Sequence, residues 1–405
     1  MDRRIQTNPE IDRKLSRTRR ESVTAFIIVI IGCCGGSLSP AAVFGLDVSN
    51  WQPKAKYSSL DIGSDTVVAT AEQTTKEALI MLCVGHVCVD MINICSSYPE
   101  EDGKVGTTTK INRCHDQRWQ RGGNAANNCT VLGLLGAKPS FLGTIAGSHE
   151  KTFLLDDFAK YNVDTKCVVV HEDCDCPASC VILSMETGSR TIIHSNKNLP
   201  ELTVEDFCKV NLSAFRWVHF EGRNVSNVVG MIEVVRKHNE NHRDVKPIII
   251  SVELEKAKPE LSSLIPKADI IFVSKDYAQF QGYTDMAETI DKIHIETRPG
   301  SLVICPWGEK GASARMKEGK LVSSQAFPPE HVVDTLGAGD TFIAATIFAL
   351  DLGHKPEDSI LFGCRVAGAK VGVRGWEPLR HLFKGSDFLS SMEDSGSRRS
   401  VMNTT

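Results

Sequence analysis

Read for polarity alone, the chain changes character at Ala78. The stretch "ALIMLCVGHVCVDMI", Ala78–Ile92, is a nearly continuous apolar run broken by one glycine and ending near Asp90, the pattern of a strand buried on both faces. Runs of the same kind return at "FRWVHFEG", "KPIIISVELE", "ADIIFVSK" and "SLVICPWG". Between them lie helix-like stretches such as "NVVGMIEVVRKHNE" and "MAETIDKIHIE". Strands alternating with helices predict an α/β fold, a doubly wound and mostly parallel sheet flanked by helices, with ligands bound at the carboxyl ends of the strands.

The ends of the chain do not share this pattern. Residues 1–21 carry seven Arg or Lys, and residues 22–46, "SVTAFIIVIIGCCGGSLSPAAVFGL", carry no charge. A basic lead before an apolar stretch has the form of a signal peptide or a signal anchor, although Gly32, Gly35, Gly36 and Pro40 interrupt it. A mis-joined piece of a gene is the third reading. The expected organisation is an extension over 1–75 with a linker from 47, one domain over 76–378, and a polar, disordered tail over 379–405.

Composition narrows the function. Of 405 residues 41% are hydrophobic and 24% charged, an ordinary globular balance, and a net charge of -4 gives no reason to expect a nucleic-acid partner. Most of the fourteen cysteines are scattered singly in apolar context, as reduced core thiols are. "CDCPASC", Cys174–Cys180, has no second pair at zinc-finger distance and reads as incidental thiols. No G-x-x-x-x-G-K-[ST] loop is present, and no G-x-G-x-x-G follows the first strand. "HRDVKP", His242–Pro247, spells part of a protein-kinase catalytic loop, but Ile249 stands where its metal-binding Asn belongs.

Two dense patches remain. In "VVDTLGAGDTF", Val332–Phe342, the Gly337-Ala338-Gly339 turn lies between Asp334 and Asp340 and precedes an apolar helix expected over Thr341–Leu350. A helix N-terminus aims free N–H groups and the positive dipole end at anions, and glycines let the backbone come close. Asp340, expected at the first helical position, is either a helix cap or a general base beside a phosphate cradle. In "QRWQRGGNAANNCTVLGLLGA", Gln117–Ala137, Gly122 and Gly123 lead into a helix whose Asn124 and Asn127, three apart, share one side. Such amides either cap the helix or pair with the hydroxyls of a sugar.

Together, "GGNAAN" and "DTLGAGDTF" resemble the ribokinase-like carbohydrate kinases, and "LCVGHVCVD", "VHFEGRN", "FVSKD", "CPWGEKGA" and "FGCRVAGAKVG" narrow the likeness to the branch that phosphorylates fructose. The resemblance covers about 76–376. It implies ATP-dependent phosphorylation of a ketohexose at the 1-hydroxyl, with Asp340 as base and Gly337, Ala338 and Gly339 as anion hole. It also implies that Asp90, Gly123, Asn124 and Asn127 hold the sugar. Arg190, Trp307, Glu309, Gly311, Phe342 and Cys364 match its nucleotide positions. Asp334 matches a carboxylate that serves the turn and a nearby K⁺. No residue is assigned to Mg²⁺, since Asp276 is the only acid in "VSKDYAQ"; ATP and water are expected to hold that ion.

The same likeness implies lid strands over about 88–119 and 179–198 that clasp a second copy into a homodimer, Asp102 reaching into the partner's site. A ribokinase-like kinase of another sugar or a nucleoside, or a catalytically idle sugar or nucleotide sensor, is the alternative. ATP use and many unpaired thiols point to the cytoplasm, with membrane contact only if 22–46 is an anchor.

Overall fold

A computed structural model describes residues 80–100, 113–187 and 189–383. The 1–75 extension, most of the expected tail and Asp102 lie outside the described residues.

The apolar run at Ala78 forms β1 (Ile80–Val84) and then β2 (Cys88–Cys95). In β1, Met81 and Cys83 face one core layer while Leu82 and Val84 face another, all four 2% exposed or less. Both faces of the strand are therefore covered, which is why the sequence shows a continuous run instead of alternation. In chain order there follow β3 (Asp116–Gly122), α1 (Asn124–Leu134), β4 (Lys138–Leu142), β5 (Thr144–Ala146), α2 (Glu150–Lys160), β6 (Val169–His171), β7 (Ala178–Ser184) and β8 (Arg190–Ser195). The chain continues through α3 (Val204–Phe207), β9 (Trp217–Phe220), α4 (Val225–Asn241), β10 (Ile249–Leu254), β11 (Ile270–Val273), α5 (Lys275–Phe280) and α6 (Met286–Glu296). Last come β12 (Leu302–Pro306), β13 (Ala312–Met316), β14 (Val322–Ser324), α7 (Ala338–Asp351), α8 (Pro356–Val371) and α9 (Leu379–Phe383).

Eight strands form the main sheet in the order β14-β13-β12-β11-β10-β9-β1-β4. Pairing is parallel from β12 to β4 and antiparallel for β13 and β14. Helices α1, α7 and α8 contribute to the core layer on one face, and α4 and α6 to that on the other. This is the expected doubly wound arrangement.

A separate four-stranded sheet, β3-β2-β7-β8, is the expected lid. Its inner face carries Ile92, Ile94 and Val181, which pack with Leu336 of the turn before α7. The lid thus rests on the loop that the sequence marked as the phosphate cradle. Two expected boundaries shift. Helix α7 begins at Ala338, three residues before Thr341, so Asp340 is its third residue and not its first. Leu379, assigned to the tail, is fully buried at the start of α9, so the folded domain runs past 378.

Candidate active site

The carboxyl ends of β1, β9 and β10 and the N-termini of α1 and α7 converge on one place. Gly123 caps α1 with φ 100°, and a Cβ there would lie 2.2 Å from the carbonyl oxygen of His86, so only glycine fits. That close approach sets where the helix starts. Asn124 and Asn127 then project from its first turn.

The two amides do different things. Asn124 donates from Nδ2 to Glu253 Oε1 at 2.8 Å and to Glu255 Oε2 at 2.9 Å. With both N–H bonds spent on carboxyl groups, its Oδ1 is the atom left to accept from a hydroxyl. Asn127 donates from Nδ2 to Asp340 Oδ2 at 2.7 Å, and its buried Oδ1 has no partner among the described residues. Asn128 donates to the backbone oxygen of Asp340 at 2.9 Å. Helix α1 therefore fixes both the side chain and the backbone of the candidate base.

Asp340 is half-buried at the floor of the site, and the loss of hydration around its carboxyl is the main reason that it is pushed up to about 7. The charges of Glu255 and Glu221 push the same way, while the Asn127 hydrogen bond and the Arg190 charge oppose them. A carboxyl poised near neutral pH is suited to take a proton from a hydroxyl.

The N–H groups of the turn are not all free. Gly337 sits in the left-handed region at φ 75°, against the Trp376 ring, and opens α7. The Ala338 N–H, expected in the anion hole, donates to Thr335 O at 3.3 Å, and the first intrahelical bond is Thr341 N to Gly337 O at 2.9 Å. Gly339 and Asp340 follow in the first turn, where no carbonyl lies four residues back within the helix. The Ala338 N–H is thus shared with the turn, and the Asp340 N–H joins the expected Gly337-Ala338-Gly339 set as a further first-turn donor. Arg190, at the start of β8, donates to Thr335 Oγ1 at 3.0 Å and brings a positive charge to the lip of this turn.

Asp90, on β2, faces the site from the lid. It is 8% exposed, and burial raises its carboxyl above the ordinary value despite bonds from Ser179 and Cys88 and the charge of His194. Its side chain fills the space a Cβ on Gly122 would need, 2.2 Å from Oδ2.

The nucleotide candidates separate into two groups. Gly311 lies against the Ser324 backbone, Cys364 hydrogen-bonds Ser324, and Phe342 packs beside Gly363, so these positions meet where β13, β14, α7 and α8 join. Trp307 is 2% exposed and packs in the other core layer; its ring is core and offers no open face to an adenine. Glu309 is exposed and pairs with Lys275 at 3.7 Å.

Asp334 departs most from expectation. Its Oδ1 accepts from Leu336 N at 3.0 Å, and its Oδ2 from Gly375 N at 3.0 Å, with Lys370 Nζ at 3.2 Å and Arg118 Nη2 at 3.6 Å. Burial works against its charge, but the Lys370 ammonium and the two N–H groups hold the carboxyl below its ordinary value. A further monovalent ion touching this carboxylate would sit roughly 4 Å from the ammonium, a repulsion of about 4 kcal/mol at the effective dielectric of protein sites. The donor set around Asp334 does not fit K⁺.

Several residues of the site went unmarked in the sequence. Glu221, after β9, accepts from His86 N at 2.8 Å, Ala125 N at 3.3 Å and Arg223 Nη1 at 3.4 Å. Glu253 is 2% exposed, and burial followed by the charges of Glu255, Glu221 and Asp340 pushes its carboxyl well up, favouring the neutral acid. The signal was acids at the ends of buried strands, in "HFEG" and "SVELE". Among the described residues no group of three or more His, Cys, Asp or Glu is arranged to hold a metal ion.

With this geometry in hand, comparison with known proteins is direct. The profile of the pfkB family carbohydrate kinases matches residues 80–379. Ketohexokinase of Mus musculus is 44% identical over 297 residues, covering 73% of this chain and 97% of that protein. A 5-dehydro-2-deoxygluconokinase of Bacillus subtilis is 22% identical over 310 residues, 73% of this chain and 91% of that one. Among solved structures, a putative ribokinase from Agrobacterium tumefaciens superposes with TM-score 0.63 at 19% identity, covering 78% of this chain and 99% of that one. Arabidopsis thaliana ribokinase complexed with ribose and ATP gives 0.62 at 20%, covering 76% and 100%. At these identities the structures speak to the fold alone.

Proposed function

The chain belongs to the pfkB family of carbohydrate kinases, and from that premise we propose that it transfers the γ-phosphoryl group of ATP to the 1-hydroxyl of a ketohexose, with fructose as substrate. The observation that carries the reading is the half-buried Asp340 carboxyl, held by Asn127 at 2.7 Å at the mouth of a helix N-terminus and poised near pH 7.

Asp340 takes the hydroxyl proton as the sugar oxygen bonds to the γ-phosphorus. The bond from that phosphorus to the bridging oxygen breaks, and ADP leaves with the electron pair. The first N–H groups of α7 and the Arg190 guanidinium face the charge on the phosphoryl oxygens. Asn124 Oδ1 and the Asp90 carboxyl are the acceptors offered to sugar hydroxyls. Mg²⁺ neutralises the nucleotide phosphates when bound, and no residue of this chain is assigned to it.

A homodimer through the lid is supported by its outer face, where Met91, Trp119, Cys180 and Ile193 are register partners and Trp119 and Ile193 are 49% and 59% exposed. A cytoplasmic location is supported by twelve free cysteines among the described residues. Asn128, in an acceptor triplet for glycosylation, is buried against Asp340, so a glycan there is incompatible with this site.

The test is an assay of ADP release with fructose, ATP and Mg²⁺, with the product identified as the 1-phosphate. Ligand binding without ADP release would overturn the reading in favour of an idle sensor, and turnover of a nucleoside in preference to fructose would move the substrate.

A further inference from the structure

The positive charge that the family resemblance places beside Asp334 as a metal ion is already supplied by the chain. Lys370 lies in the last turn of α8, where a cation is favoured by the helix dipole, and its side chain is 0% exposed. A fully buried lysine is rare and needs partners to compensate for lost hydration. Here its Nζ donates to the backbone oxygen of Asp334 at 3.1 Å and lies 3.2 Å from Oδ2 of the same residue, so it grips that residue twice. It also stands 5.2 Å from the centre of the Trp376 ring.

Both contacts lead to the phosphate-binding turn. Asp334 Oδ1 accepts from Leu336 N at 3.0 Å, closing the turn that delivers Gly337. Trp376 is the ring against which Gly337 rests, so closely that a Cβ there would lie 2.5 Å from it. Three residues on is Asp340. An ammonium fixed beneath the turn therefore sets the backbone that presents both the anion donors and the base, and it leaves no oxygen of the Asp334 carboxylate free of a donor.

We propose that Lys370 is the resident cation of this turn, a positioning residue acting through Asp334 and Trp376, and that phosphoryl transfer by this chain requires no potassium ion. The assay rests on the sugar-kinase reading, while the geometry does not.

The full chain is purified into choline salts, and ADP release with fructose and Mg²⁺-ATP is measured as KCl replaces choline at constant ionic strength. The result expected is a change in kcat of about twofold or less, and a thermal shift from a non-hydrolysable ATP analogue that is the same in both salts. A tenfold or greater gain on adding K⁺, or a shift that appears only with K⁺, overturns the proposal. Lys370→Met is expected to lower kcat about tenfold or more with little change in the sugar KM, and in Lys370→Ala methylammonium or K⁺ is expected to restore part of the loss. Unchanged kcat in both variants also overturns it. Should the variants fail to fold, the salt exchange on the unmodified protein decides alone. Should fructose not be turned over in either salt, the functional reading fails and the thermal shift still decides the cation.

Discussion

Asn127 donates its side-chain amide to Asp340 Oδ2 at 2.7 Å, across 213 positions of sequence. A residue expected to bind sugar is thus also the residue that aims the base, and the two roles are separable. Asp340→Asn removes the proton acceptor and is expected to lower kcat by roughly 100-fold or more while ATP still binds. Asn127→Ala leaves the carboxyl but frees it to rotate, and kcat is expected to fall about tenfold. Steady-state kinetics beside a nucleotide-induced thermal shift distinguishes these outcomes from misfolding. Turnover of Asp340→Asn within a few-fold of the unmodified protein rules out Asp340 as the base.

The charges around Asp340 make a prediction of sign. The base must be ionised, and its carboxyl stands at about 7, so kcat/KM should fall as pH drops through neutrality. Glu255 is a like charge that raises Asp340, so Glu255→Gln should move this acid limb to lower pH. Arg190 and the Asn127 bond lower it, so Arg190→Gln and Asn127→Ala should move the limb to higher pH. Linkage gives a second readout. A carboxyl whose folded value is raised contributes stability that is fully present below its unfolded value and is lost as pH rises toward 7. Asp340→Asn escapes that loss, and its melting temperature should exceed that of the unmodified protein at pH 8, with the difference shrinking toward pH 4. A limb that stays in place in all three kinetic variants would assign it to another group.

How much of this was legible in the sequence depended on whether the signal was local. The β1 run showed itself because a strand covered on both faces has no polar positions to hide it, and Gly123 and Gly337 showed themselves because backbone shape at a helix start depends on neighbouring residues. Glu221, Glu253 and Lys370 were not legible in the same way. Each is a charged residue inside an apolar segment whose meaning depends on a partner far along the chain: Ala125 for Glu221, Asn124 for Glu253 and Asp334 for Lys370. For the same reason the sequence shows that Asp334 serves the turn, through Leu336 N, and hides the ammonium of Lys370, which stands 36 residues further on. Trp307 matches a nucleotide position only through the resemblance of its loop, where an aromatic can equally be core, and nothing local reveals that its ring packs in the core.

The clamp on Asn124 can be tested without touching Asn124. Glu253 is a buried acid with a strongly raised pKa, so Gln reproduces both its neutrality and its acceptor oxygen. Glu253→Gln should keep the sugar KM within about threefold, whereas Glu253→Ala removes the acceptor, opens a cavity and should raise that KM about tenfold with the ATP KM unmoved. Equal effects of the two substitutions, or parallel effects on both KM values, would mean that Glu253 supports the fold and not the orientation of Asn124.

The outer face of the lid predicts the assembly. Met91 pairs with Trp119 on one side and Cys180 on the other, and Cys180 pairs with Ile193, so four side chains cross all four strands on one face. At a strand spacing of about 4.8 Å the row is roughly 15 Å long. Trp119 leans on Phe153 with ring centres 5.7 Å apart, yet it stays half exposed, and Ile193 is more exposed still. Met91 packs partly against the main core, but the exposed ends of the row, Trp119 and Ile193, remain in water within one chain, and burying them against a second copy removes them from it. Ile193→Lys places a charge at the most exposed end of such a contact and should convert a dimer into a monomer by light scattering, with little change in melting of the separated chain. If Asp102, outside the described residues, reaches the partner's sugar, the Ile193→Lys monomer should also show a raised sugar KM. Mixing Asp102→Ala chains with Asp340→Asn chains should then restore turnover above that of either alone. A light-scattering mass that is monomeric for the unmodified chain at assay concentration would dismiss both the dimer and the shared site.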